Sequence, residues 1–123
     1  MCATDTSSPP HYVRHPLKSR EDWEKLRPFF DPETPGRVPL KWEEAAARYK
    51  DRDYPVGIVV GSLYGWLRDW MGVQALSIAF YRDPDWVGEM MDTLTELWIS
   101  ILRRVLPHVE VDFSSWWEDM AYN

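Results

Sequence analysis

The stretch Pro55-Val56-Gly57-Ile58-Val59-Val60 constrains the fold more than any other part of the chain. A strand with one wet face alternates apolar and polar residues. This run is apolar and β-branched on both alternating faces, which predicts a strand covered on both sides, as in parallel sheets whose crossovers lay helices over them. Gly61-Ser62 then turns the chain. Leu63 to Met71 predicts a short helix stopped by Gly72, and Gln74 to Phe80 predicts a second. Asp83-Pro84 opens the longest helix, with the aspartate as cap and the proline in the first turn. Val87, Met90, Met91, Leu94, Leu97, Trp98, Ile101 and Val105 recur three and four residues apart, forming one apolar stripe for a core. Pro107 ends that helix, and Val109 to Phe113 predicts the next strand. Strand, helices, strand is a crossover, which favours a parallel pair with a right-handed connection. The fold class is therefore α/β, with two parallel strands and connecting and flanking helices.

Upstream of the first strand the signals are weaker. Residues 1–18 carry Pro9, Pro10 and Pro16 and little periodicity, so they predict an extended amino-terminal segment, with the folded domain over 19–123. Ser19 can cap a helix through Trp23 and Leu26, with Asp22 three residues on as in a capping box. That helix ends before Pro28. Phe29 to Pro39, with Pro32, Pro35 and Gly36, predicts a loop. Lys41 to Lys50 predicts another helix, favoured by Ala45-Ala46-Ala47, with Trp42 and Tyr49 on its inner face.

Composition narrows the function classes. A length of 123 residues suits one domain of ordinary size, and 45% hydrophobic with 28% charged residues is globular. Eight tryptophans supply ample core material or the walls of a pocket for a flat ligand. The net charge is −6 with no basic block, which argues against nucleic acid as a partner. Cys2 is the single cysteine, so neither a disulfide nor a cysteine-based zinc site can be built within the chain. No apolar run reaches the ~18 residues of a membrane span. The amino terminus lacks the basic start and apolar stretch of a secretory signal, so the expected location is cytoplasmic.

The candidate chemistry lies after the two strands. In parallel α/β sheets the ligand crevice opens beyond the carboxyl ends of the strands. After the second strand come Trp117, Glu118, Asp119 and Tyr122. Glu118 and Asp119 are the candidate catalytic residues: burial raising a carboxyl pKa would make a general acid or base. They could equally bind a metal or a substrate cation, or cap a helix. Trp117 and Tyr122 are candidate pocket residues or core packing. Gly61 and Ser62 allow a close backbone approach to a ligand or form a plain turn. Trp66 is a candidate pocket wall, and Arg68-Asp69 an internal ion pair. His11, His15 and His108 are scattered without ligand spacing, and Cys2 has no base beside it, so none is expected to be catalytic.

Three blocks carry a family resemblance: Tyr12-Val-Arg-His-Pro-Leu-Lys-Ser-Arg-Glu-Asp-Trp-Glu-Lys-Leu26, Gly61-Ser-Leu-Tyr-Gly-Trp-Leu-Arg-Asp-Trp-Met-Gly72 and Trp117-Glu-Asp-Met-Ala-Tyr-Asn123. Together, in this order and spacing, they resemble uroporphyrinogen-decarboxylase-like proteins. The resemblance implies a TIM (β/α)8 barrel, a fold of roughly 250 residues, so this chain is expected to be a partial barrel and a fragment of a larger enzyme. It implies cofactor-independent decarboxylation of carboxylated tetrapyrrole side chains, as in porphyrin biosynthesis. Glu118 or Asp119 would then be the acid/base or polar group, and Gly61, Ser62, Trp66, Trp117 and Tyr122 would bind the small-molecule substrate. The related alternative is a methyltransferase acting with a corrinoid protein or coenzyme M, which would need zinc from ligands outside this chain. The family's amino-terminal Arg-rich motif and early aspartate are absent. Trp66 and Asp69 stand near the place of the decarboxylase's tyrosine, and Phe113-Ser114-Ser115 where that enzyme has Phe-Glu-Ser. An alternative of another class is a non-catalytic interaction module, since unpaired strand edges recruit partners, a second copy (a homodimer) among them.

Overall fold

The structure is a computed structural model and describes residues 2–3, 11–12 and 14–118. Asp119 and Tyr122, two of the expected site residues, lie outside the described residues. In chain order the elements are β1 (Cys2–Ala3), β2 (His11–Tyr12), α1 (Arg20–Leu26), α2 (Trp42–Ala47), β3 (Gly57–Gly61), α3 (Tyr64–Met71), α4 (Val73–Arg82), α5 (Pro84–Val105) and β4 (Phe113–Trp116). One-turn 3₁₀ segments follow α1, over Arg27–Phe30, and α5, over Leu106–His108. The fold class is α/β, with mixed helix and strand, and β3 pairs with β4 in parallel as the crossover predicts.

The helix boundaries follow their local signals. The Ser19 hydroxyl accepts from the Asp22 amide at the start of α1. Asp83 accepts from the Trp86 amide at the start of α5, with Pro84 in the first turn. Gly72, at φ 83°, stops α3 and leads directly into α4. α4 is longer than expected, from Val73 to Arg82. α2 is shorter, and Ala46 is its buried residue, while Trp42 and Tyr49 are only half-buried. The Trp42 indole instead reaches across to donate to the Val105 carbonyl at the end of α5, 3.0 Å away.

The core is a helical layer. The α5 stripe buries Val87, Met90 and Leu94 against Leu67 and Met71 of α3, Leu76 and Ala79 of α4, and Trp23 of α1, and Leu97 further along it is buried too. Leu17 is also fully buried, and its amide donates to the Trp70 carbonyl at 3.0 Å. Among the described residues before Ser19, β1 and β2 pair antiparallel and Leu17 belongs to the core. Around this layer, Arg20 bridges Asp83 at 2.7 Å and Glu89 at 3.6 Å, so α1 is held against the start of α5.

The sheet departs from expectation in two ways. β4 begins at Phe113 rather than Val109. The Asp112 carboxylate accepts from the Val56 amide at 2.7 Å and pairs with Arg52, which also donates to the Glu110 carbonyl. The Asp112 amide also donates to the Val56 carbonyl at 2.9 Å, so Asp112 bonds through backbone and side chain to the residue before β3, and the regular pairing begins one residue on, at Phe113. Secondly, β3 is not covered on both faces. Val60 is buried, but Val59 is 69% exposed, and on β4 Phe113 and Trp116 are 55% and 51% exposed. β4 is exposed along its whole length, and Phe113 and Trp116, three residues apart, project from opposite faces, so apolar residues on both sides of the sheet meet solvent.

The stability of the helical layer should rest on its central stripe. Leu94 is fully buried and Tyr81 is 90% exposed. Leu94→Ala should cost about 2–5 kcal/mol in denaturant unfolding, whereas Tyr81→Ala should stay within about 0.5 kcal/mol of the parent. Similar losses for the two would place the core elsewhere.

Candidate functional site

The carboxyl end of β3 is where the expected site residues meet. Gly61 closes the strand with φ 84°, a conformation that L side chains rarely adopt. A Cβ there would lie 2.8 Å from Trp98 and 2.9 Å from Trp66, so glycine also lets two indoles close on the backbone. Ser62 follows and is buried. Its hydroxyl accepts from the Gly65 amide at 2.6 Å, at the first turn of α3. Gly61 and Ser62 thus form the strand-to-helix turn, and the turn is tied down by side-chain bonding.

Glu118 comes to the same place from the other strand. Its Oε1 accepts from the Leu63 amide at 2.6 Å and from the Trp116 indole N–H at 3.0 Å. The carboxylate therefore sits on the amino-terminal end of α3, where exposed amides favour negative charge. Burial pushes the Glu118 carboxyl up. The Leu63 amide, the Trp116 indole, the Ser62 hydroxyl and the Gly65 amide outweigh it and hold the carboxyl below its ordinary value. It is ionised at neutral pH. The expectation of burial raising this pKa is reversed, because donors of the strand-to-helix turn converge on the charged form.

Trp117 packs beside this junction, half-exposed. Its ring lies where a Cβ on Gly65 would fall, 2.5 Å away, and the Arg68 guanidinium sits 5.0 Å from its centroid. Arg68 and Asp69 form the internal ion pair expected of them, at 2.8 Å. Asp69 also offers its carbonyl to His15 Nδ1 at 3.0 Å.

A cavity adjoining this turn has walls that exclude Ser62 and Glu118. It encloses about 620 Å³ and is lined by Arg14, Pro16, Phe30, Arg37, Trp66, Asp69, Trp70, Leu97, Trp98 and Ile101. Of the expected pocket residues Trp66 lines it. Gly61 backs onto it through Trp66 and Trp98, while Ser62, Trp117 and Glu118 are not among its walls. Aromatic contacts run continuously along it. Trp98 meets Trp66 at 5.4 Å, Trp66 meets Trp70 at 6.0 Å, Trp70 meets Phe30 at 5.3 Å, and Phe30 stacks on Trp23 at 5.5 Å. Trp98 thus serves both the core stripe and the cavity wall. Arg14, Phe30, Arg37, Trp70 and Trp98 are site residues that the sequence did not single out. Arg37 sits in the proline-rich loop, and no local motif marks it or Arg14 as pocket residues.

Among the described residues no group of three His, Cys, Asp or Glu side chains could hold a metal ion. The donor set that zinc would need is thus not assembled among them. No helix of the described residues is long and apolar enough to cross a membrane. Comparison with protein-family models, with curated proteins and with solved structures returns no match.

The Glu118 contacts have a testable pH signature. A carboxyl held low in the folded state stabilises fully above its unfolded value near 4.5 and loses that contribution as pH falls through the folded value. Glu118→Gln should cost on the order of 1 kcal/mol at pH 7. The gap between mutant and parent should narrow steadily below about pH 4.5 in urea unfolding. A gap independent of pH would mean that the charge of Glu118 is not what holds α3.

Proposed function

We propose that the chain is part of a uroporphyrinogen-decarboxylase-like (β/α)8 barrel, and that the protein it belongs to decarboxylates a carboxylated pyrrole ring. The observation that carries this reading is the site's position. An indole-walled cavity adjoins the carboxyl end of a strand in a parallel pair, the end at which barrels of this type bind ligands. The resemblance of the Gly61–Gly72 and Trp117–Asn123 blocks adds the chemistry.

In that reaction the bond between the ring-attached carbon and its carboxylate breaks. Its electron pair is taken up by the ring system after protonation, a proton replaces the carboxylate, and carbon dioxide leaves. Held ionised and bonded to the strand-to-helix turn outside the cavity walls, Glu118 would be a positioning group that keeps that turn in place, rather than a proton donor. Trp66 would face the ring as a cavity wall. Trp117 would shelter the turn, and Asp119 and Tyr122, outside the described residues, are the further residues proposed for the site. Decarboxylation of this kind calls on no cofactor.

The exposed residues of β3 and β4 fit the same reading, because further strands and helices of a barrel would cover them. In the isolated chain a second copy would serve instead, as a homodimer through the sheet.

Two measurements test the proposal. The 123-residue chain should bind uroporphyrin saturably, seen as tryptophan quenching, yet release no carbon dioxide from uroporphyrinogen on its own. Turnover by the isolated chain, or no saturable binding up to millimolar porphyrin, would defeat the reading. In size-exclusion chromatography the chain should run as a dimer or larger soluble assembly, and Val59→Lys should shift it towards monomer. A sharp monomer with cooperative unfolding would count against a part-barrel.

A further inference from the structure

The charge at the cavity is not balanced by the cavity itself. Its titratable wall residues are Arg14, Arg37 and Asp69. Asp69 is already met by the Arg68 guanidinium at 2.8 Å, so its charge is spoken for. Arg37 donates to the carbonyls of Phe29 and Asp31, which hold its loop but leave its positive charge without a carboxylate. Arg14 makes no hydrogen bond or ion pair with any described residue. Two guanidinium groups therefore face a space walled by Trp66, Trp70 and Trp98, in a chain whose overall charge is −6. Guanidinium forks match carboxylate geometry, and indole faces take planar rings. A volume of about 620 Å³ suits a compact small molecule.

We infer that this cavity binds a planar aromatic carboxylate, with Arg14 and Arg37 on the carboxylate and the indoles of Trp66 and Trp70 against the ring. The inference stands on the cavity alone and does not need the decarboxylation chemistry. Binding of a small aryl carboxylate can succeed where uroporphyrin fails, and the reverse, so the two ideas fail separately. The ligand's charge, rather than its apolar area, is the feature that Arg14 and Arg37 would read. A neutral ring of the same size gains the stacking and nothing from the arginines.

Titration calorimetry of the full chain with 2-naphthoate and with the neutral 2-naphthalenemethanol reads that difference directly. The naphthoate should bind about 10-fold or more tightly than the alcohol. Arg14→Gln should cut naphthoate affinity several-fold and leave the alcohol unchanged. Arg14→Gln with Arg37→Gln should bring the two probes level. Should the double variant lose its helical circular dichroism, Arg14→Gln alone decides, since Arg14 makes no hydrogen bond or ion pair with any described residue. Equal affinities in the parent, parallel losses of both probes in Arg14→Gln, or no saturable naphthoate binding at millimolar concentration overturns the inference.

Discussion

The contact on which the site depends is the Glu118 carboxylate at the amino-terminal end of α3. It joins the two strands and the first helix of the crossover at one point. Gly61 turns the chain out of β3, Ser62 bonds to the first turn of the helix, and Glu118 arrives from just beyond β4 to accept the Leu63 amide. A helix of eight residues has few internal bonds, and its first amides have no partner within it. A carboxylate supplied from 55 residues away gives one of them that partner. Trp66, on the same helix, is held against Trp98 and Trp70 and forms one wall of the cavity.

Two packing demands meet at Gly61. On one side the backbone must leave the strand at positive φ. On the other, Trp98 of the longest helix and Trp66 of the shortest crossover helix must close against it. A side chain at this position would force both indoles away and open the cavity to the sheet. The aromatic series from Trp98 to Trp23 then continues the wall from the sheet to α1. Core and cavity are thus not separate regions. The side chains that hold the helical layer together also shape the space beside it.

The elements legible along the chain were those with local causes. Asp83-Pro84, Ser19 and Gly72 mark helix ends because capping and backbone freedom act within one turn, and the spacing from Val87 to Val105 marks the buried face of α5. The second strand was misplaced because its register is not local. Asp112 bonds Val56 through both its amide and its side chain, and the paired register starts with Phe113 opposite Gly57. The apolar run of β3 was legible as a strand, but its cover was not. How many helices reach the sheet depends on the rest of the polypeptide around it, and Val59 stays in water.

The order of helices and strands, the parallel pairing and the stripe of α5 follow from the amino acids in line, since each rests on neighbours a few residues apart. The ionised state of Glu118 and the pairing of free guanidinium charge with indole walls were settled only when distant segments came together. A pKa depends on what surrounds a group, and Arg14, Arg37 and Trp98 share a cavity despite lying on a lead-in, a loop and a helix. Charge and shape at a site are properties of proximity in space, which no spacing along the chain encodes.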